Sequence, residues 1–251
     1  METIIVIPAR YASTRFPGKV LYPLCGKPIL EWVWERAIKS KIADEVVIAT
    51  EDERVIEFAK TIKAKAVLTS PGCQSGSDRV WEVVKNKPRK YSRVINLQAD
   101  EPFIEPGALR KAFLKLKSDA RFDIATAVAR IDNDKELTDS NCVKVALSSS
   151  GNAIYFSRSP VPFHHPLSTL SDKIPYYKHC GFYIYNYEAL RRFVSQKPSR
   201  IEILERLEQL RALEMGLRIA AVEVERLGPA IDAPNDIKKA QEYIKKRGIL
   251  V

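Results

Sequence analysis

Histidine and cysteine are sparse in this chain, and their scarcity narrows its chemistry before any positive signal is read. The 251 residues include three histidines and four cysteines. Cys25, Cys73, Cys142 and Cys180 stand far apart, with no C-x-x-C pair and no histidine at zinc-like spacing. That pattern excludes a zinc finger or a dithiol redox motif and reads as reduced thiols. Cys73 lies nearest the candidate chemistry but has no adjacent base in sequence, so it is a neighbour rather than a nucleophile. No Ser/His/Asp or Cys/His constellation is evident, which disfavours covalent hydrolysis. Apolar runs are strand-sized, far short of the roughly 20 residues that span a bilayer. Met1-Glu2-Thr3 leads directly into an apolar strand, without a basic leader or cleavage site, so a cytoplasmic protein is expected. Neither G-x-x-x-x-G-K-[ST] nor G-x-G-x-x-G occurs, and the P-loop ATPase and dinucleotide-binding readings lack their motifs.

What is present is positive charge, with a formal net charge of +10. Such an excess favours anionic partners, either nucleic acid or a phosphorylated small molecule. Much of it falls in Lys85 to Arg93, Arg110 to Arg121 and Lys238 to Arg247. These runs lack the interleaved aromatics of a single-strand groove and read as solvated faces, so no nucleic-acid partner is expected. The cations after the first strand are different. Thr3 to Pro8 empties into Ala9-Arg10-Tyr11-Ala12-Ser13-Thr14-Arg15-Phe16-Pro17-Gly18-Lys19, just past the carboxyl end of a strand, where open parallel sheets bind ligands. Guanidinium forks, an ammonium, hydroxyls and loop N–H groups together make a polyphosphate cradle. A solvated basic loop is the plainer alternative, weakened by this position.

The spacing predicts an α/β fold: a mostly parallel central sheet with helices on both faces, in a single domain over 1–251. Strands are expected at Ile4 to Pro8, Glu45 to Ala49, Ala66 to Leu68, Val94 to Leu97, Ile124 to Ala129 and Ala220 to Glu223. Helices fit after Pro28, with Leu30, Val33, Trp34 and Ala37 on one face, and at Glu53 to Ile62, Asp78 to Asn86, Pro106 to Leu116 and Ala233 to Lys246. Ser199-Arg200-Ile201-Glu202 is a capping-box pattern ahead of an apolar stripe, Ile203, Leu207, Leu210 and Leu213, read as core. Glu205, Glu208 and Gln209 ride on its flanks. About 143–187, the runs Val143 to Leu147, Ala153 to Phe156 and Cys180 to Tyr185 read as a small antiparallel inserted lobe. Its crowded aromatics fit a subunit contact or lid as well as a local core.

Val94 to Leu97 leads to Gln98-Ala99-Asp100-Glu101-Pro102, with paired carboxylates at a strand's carboxyl end. Beside a phosphate cradle, such acids fit Mg²⁺, which takes one or two protein carboxylates and completes its shell with water and phosphate oxygens. Asp232, ahead of the last helix, is open to two roles, helix cap or second carboxylate. Gln74-Ser75-Gly76-Ser77-Asp78-Arg79 offers small residues, an amide and an Arg ahead of a helix, for a base edge or a phosphate. His164 and His165 lie in the lobe's connection, whereas His179 stands at a strand start. Phosphoryl or nucleotidyl transfer fits this inventory, because positioning and charge neutralisation can carry it.

These segments resemble the 3-deoxy-manno-octulosonate (Kdo) cytidylyltransferases along nearly the whole chain. The carrying residues are Ile7 to Arg15 with Pro17-Gly18-Lys19, Gly26-Lys27-Pro28, Gln74-Ser75-Gly76, Gln98 with Asp100-Glu101-Pro102, Tyr155-Phe156-Ser157-Arg158, Leu207 to Arg211, and Ile231-Asp232 with Pro234. The resemblance implies a nucleotide-sugar transferase-like fold, usually dimeric, that condenses CTP with Kdo to CMP-Kdo and pyrophosphate for lipopolysaccharide assembly. It implies that Arg10, Ser13, Arg15 and Lys19 hold the triphosphate, that Gln74, Ser75 and Gly76 sit at the cytidine end, and that Asp100 and Asp232 bind Mg²⁺. Lys19, Asp100 and Asp232 would be the catalytic set. Gln98, Arg158, His179, Tyr183, Glu208 and Gln209 would line the sugar-acid site, Arg158 pairing with the Kdo carboxylate. Ala99 departs from the glycine usual in the family's Q-G-D-E-P, and a methyl there would interfere if the backbone needed positive φ. An 8-amino-Kdo or another acid sugar remains an alternative substrate, as does a non-catalytic basic nucleic-acid binder of a different class.

Overall fold

A computed structural model describes residues 2–13, 15–86, 90–165 and 175–249. Thr14 and most of the connection after Phe163 lie outside them. The first half alternates strand and helix: β1 (Glu2–Pro8), the small hairpin β2 (Pro23–Leu24) and β3 (Lys27–Pro28), α1 (Ile29–Ser40), β4 (Glu45–Thr50), α2 (Glu53–Thr61), β5 (Lys65–Leu68), α3 (Gly76–Val84), β6 (Tyr91–Leu97), α4 (Pro106–Ser118) and β7 (Ile124–Arg130). There follow α5 (Asp134–Thr138), β8 (Lys144–Leu147), β9 (Ala153–Ser157), β10 (Tyr177–His179), β11 (Phe182–Asn186), α6 (Tyr187–Val194), α7 (Arg200–Glu205), α8 (Gln209–Glu214), β12 (Ile219–Val224) and α9 (Asp236–Arg247). None of the described helices is long and apolar enough to cross a membrane.

The sheet runs β5-β4-β1-β6-β11-β7-β10-β8-β9, with β12 also on β7. β5, β4, β1 and β6 are mutually parallel, as are β7 and β12. Strands such as Ile4–Ile7 are fully buried because helices cover both faces, which is why they read as continuous apolar runs. Two core clusters fill the two faces. A third gathers Phe16, Leu24, Ile29, Trp32, Phe103, Ile231, Ile237, Ala240 and Ile244 under α9.

Two expectations are corrected. The run Cys180 to Tyr185 is not confined to a lobe: β11 lies antiparallel between β6 and β7 in the middle of the main sheet. β10 and β11 are two halves of one strand broken at Cys180-Gly181. His179 lies opposite Val128, so an unbroken ladder would put Ile184 opposite Asp123; it lies opposite Ala125 instead. The break is a bulge that turns the chain from β8 toward β6. The capping box at Ser199 is present, but the helix does not run on: Arg206 at φ 54° ends α7 and re-aims the chain. Ile203, expected in the core, is 62% exposed, while Leu207 and Leu210 are buried. The same turn carries Glu208 and Gln209 off a solvated flank and into the protein.

Candidate active site

The loop after β1 is braced from below. Glu51, just past β4, accepts from Tyr11 N–H (3.0 Å) and, more weakly, Ala12 N–H (3.5 Å) through Oε1. Arg79 on α3, 1% exposed, faces the other oxygen at 3.0 Å and donates to the Thr69 hydroxyl. A buried guanidinium without such a partner would carry a desolvation penalty of several kcal/mol, so each charge requires the other. The Arg54 guanidinium lies 3.6 Å from the centre of the Tyr11 ring. The far edge of that ring closes on Gly18, which sits at φ 71° and whose N–H donates to Tyr11 C=O; a Cβ there would meet the phenol oxygen at 3.1 Å. Glycine is required at Gly18 on both counts. Ser13 Oγ accepts from Phe16 N–H, and Arg10 is exposed at the strand end.

Lys19 follows in a single 3₁₀ turn and is buried. Its Nζ donates to Asp100 Oδ2 (3.0 Å) and stands 3.9 Å from Asp232 Oδ1, which Arg15 contacts at 2.6 Å. The two carboxylates come together through the backbone: Ile231 N–H donates to Asp100 C=O at 3.0 Å. Burial and the Asp100 charge push the Asp232 carboxyl above its ordinary range, against the pull of Lys19 and Arg15. Asp232 does not cap the last helix. Asp236 takes the N–H groups of Asp232 and Ala233, leaving the Asp232 carboxylate to the cations. Two hard oxygen donors brought side by side, from Asp100 and Asp232, fit a divalent cation that would share them with Lys19 and Arg15. Among the described residues no set of three or more metal-ligating side chains assembles, so water and phosphate oxygens would supply the remaining positions, as Mg²⁺ prefers.

At the proposed cytidine end, Ser75 caps α3 in a capping box with Asp78, and the Gln74 amide donates to Gly72 C=O. Gly76 packs against β1's last residue: a Cβ there would lie 3.4 Å from Pro8 and 3.8 Å from the Asn96 amide. α3 thus joins this segment to the end of β1 at Gly76 and, through Arg79 and Glu51, to the loop that follows β1.

The sugar-side candidates divide. His179 and Tyr183 stack, ring centres 5.0 Å apart, and the His179 ring hydrogen-bonds Thr126 Oγ1 at 2.9 Å. Burial holds His179 down to about 3, so it is neutral at working pH. Glu208 bonds the Ser77 hydroxyl, and burial raises its carboxyl. Gln209 is buried beside it at the start of α8. Gln98 is exposed at the end of β6, its N–H on Gly181 C=O. Arg158 is otherwise engaged, its guanidinium donating to the carbonyls of Glu205, Ser140 and Arg206. Ala99 is buried in the core without positive φ, so its methyl is accommodated.

Three residues at this site act otherwise than the sequence suggests. Glu51 drew no reading from its local sequence, and Arg79, offered there for a base edge or a phosphate, is instead buried against Glu51. Glu101 passed as the second half of an acid pair. Its carboxyl is enclosed and accepts from Gly181 N–H at 2.9 Å; burial and the Asp100 charge push it up to about 8.

A family model described as cytidylyltransferase matches residues 4–219. A 3-deoxy-manno-octulosonate cytidylyltransferase of Elusimicrobium minutum is 48% identical over 97% of this chain and 98% of its own length. That of Thermodesulfovibrio yellowstonii is 42% identical over 97% and 98%. Among solved structures, a CMP:2-keto-3-deoxy-manno-octonic acid synthetase complexed with CTP superposes with a TM-score of 0.89 at 35% identity, covering 98% of this chain and all of that one. A 4-diphosphocytidyl-2C-methyl-D-erythritol synthase from Anaerococcus prevotii, at 13% identity and a TM-score of 0.63, shares the fold.

Proposed function

The chain belongs to the 3-deoxy-manno-octulosonate cytidylyltransferase family, and we propose that it condenses CTP with Kdo, giving CMP-Kdo and pyrophosphate for lipopolysaccharide assembly. The observation that carries this reading is Lys19, buried between Asp100 and Asp232 at the mouth of a basic loop. Arg10, Ser13, Arg15 and Lys19 hold the triphosphate. Arg15, with 61% of its side chain exposed, is free to turn from Asp232 to an arriving phosphate. Gln74, Ser75 and Gly76 take the cytidine end, while His179, Tyr183, Glu208 and Gln209, with Gln98, line the sugar side. Arg158, held by three carbonyls, shapes the wall there and reaches the sugar carboxylate only by releasing them.

Asp100 and Asp232 would hold Mg²⁺, which when bound lowers the pKa of the sugar hydroxyl and offsets phosphate charge. The chain itself supplies the alignment for in-line attack of the anomeric hydroxyl on the α-phosphorus. Its fixed cations stabilise the departing pyrophosphate in a preorganised setting, the larger part of catalysis in such transfers. We place the enzyme in the cytoplasm as a homodimer, as the family resemblance implies. The test is Mg²⁺-dependent pyrophosphate release from CTP with Kdo, 8-amino-Kdo and N-acetylneuraminate supplied separately. Release with Kdo is expected, and release with another sugar alone would reassign the substrate. Silence with all three from protein that binds CTP would overturn the reading.

A further inference from the structure

The His179–Tyr183 stack is geometrically unusual. Residues four apart on a regular strand share a face but stand about 13 Å apart, whereas these rings lie 5.0 Å apart at 23°. The bulge at Cys180-Gly181 makes the difference, and the turn that bears Asp100 grips it. Gln98 N–H donates to Gly181 C=O (3.2 Å), Gly181 N–H donates to Glu101 Oε1 (2.9 Å), and Glu101 N–H closes the turn on Gln98 C=O (3.3 Å). Asp100 stands between the two gripping residues. From the other side Thr126 Oγ1 reaches the carbonyls of Cys180 and Phe182 as well as the His179 ring. Glu101 fills the bulge so closely that a Cβ on Gly181 would fall 2.4 Å from Oε1 and 2.9 Å from Cγ. Since Gly181 has no positive φ, its glycine is required by this approach and not by backbone conformation.

We propose that Glu101 is a positioning residue: wedged against Gly181, it holds the bulge that stacks His179 on Tyr183 and fixes that sugar-side platform in register with Asp100. The assignment rests on the sugar site lying at His179 and Tyr183, as proposed above. An acceptor of the right length is what the wedge requires, so glutamine serves and alanine does not. Misplacement of a reacting group by about 1 Å is enough to lose about a hundredfold in rate.

The experiment compares wild type, Glu101→Ala, Glu101→Gln, Gly181→Ala and the Gly181→Ala/Glu101→Ala double variant. It measures kcat, KM for Kdo and KM for CTP, with thermal midpoints as a check on folding. Glu101→Ala is expected to lose about tenfold to a hundredfold in kcat and to raise KM for Kdo about tenfold, with KM for CTP within about twofold. Glu101→Gln should recover most of both. Gly181→Ala should resemble Glu101→Ala, and the double variant should be no worse than either single, because removing the carboxyl makes room for the new methyl. Wild-type kinetics in Glu101→Ala, equal changes in both KM values, no rescue by glutamine, or additive losses in the double variant would each overturn the proposal. Where Glu101→Ala does not fold, the glutamine and Gly181→Ala comparisons decide it. A wild-type enzyme silent with Kdo would strike the substrate reading instead, so the two failures are distinct.

Discussion

Replacing Lys19 by methionine keeps most of the unbranched side chain and removes the one buried cation between Asp100 and Asp232. At 3.0 and 3.9 Å, and an effective dielectric near 20, the two attractions are about 5.5 and about 4 kcal/mol before desolvation is charged against them. The lysine side chain is 10% exposed and the carboxylates 22% and 33%, so screening is partial and Arg15 still serves Asp232. Breaking one partner from a buried pair costs about 3–5 kcal/mol in measured cases; with Arg15 retained, about 3 is expected here. For a chain of this size that lowers the thermal midpoint by about 6–12 °C. The assay is a melting series with and without Mg²⁺: the nucleotide-free variant should melt early and gain more from added Mg²⁺ than wild type, because the ion replaces the missing charge. Turnover should fall by about a hundredfold to a thousandfold, as for loss of one preorganised electrostatic contact. A variant melting within 1 °C of wild type, with no added response to Mg²⁺, would refute the electrostatic account of this centre.

Asp100→Asn should cut turnover at least about a hundredfold while leaving the melting midpoint near wild type, since it relieves one carboxylate as it unpairs Lys19; near-normal steady-state turnover would remove Asp100 from the chemistry. Glu51→Gln should loosen the phosphate loop and raise KM for CTP about tenfold with KM for the sugar unchanged, in keeping with a positioning role; equal rises in the two constants would count against it. Glu45 offers a pH test away from the site. Burial pushes its carboxyl up, but hydrogen bonds from Lys65, Lys90 and Tyr91 outweigh it and hold it at about 2 against an ordinary 4.5. A depressed carboxylate stabilises the fold above the unfolded pKa and loses that contribution as pH falls through the folded one, here from 4.5 toward 2. Glu45→Gln should therefore cost at most about 3 kcal/mol at pH 7, and melting curves of the two proteins should converge near pH 2; a constant gap would refute the linkage.

The parallel half of the sheet was legible because Ile4–Ile7 and Val94–Leu97 are buried on both faces, and a continuous apolar run bounded by turns records that condition locally. The nearness of the basic loop to Asp100 was legible for a related reason: each follows such a strand at its carboxyl end. β11 was harder to place. Its sequence looks the same whether it pairs in a side lobe or between β6 and β7, since pairing partners are set by long-range packing. Ile203 and Glu208 were misjudged together because a helical period assumes the helix continues, and nothing in Glu205-Arg206-Leu207 marks Arg206 as left-handed. Glu51, Arg79 and Glu101 act through partners 28 to 80 positions away, a relation no local pattern carries.

The cluster under α9 has a temporal consequence. Phe16 belongs to the loop that leads to Lys19, Phe103 to the turn after Asp100, and Ile231 immediately precedes Asp232; all three share one buried cluster with Ile237, Ala240 and Ile244. A chain emerging from the ribosome can pair β1, β4 and β6 early, yet the three loops acquire their shared floor only when residues 236–247 are free to dock. The cradle is thus built first and completed last, and a nonsense mutation just before α9 would release a protein with nearly all of its sheet and an unassembled centre.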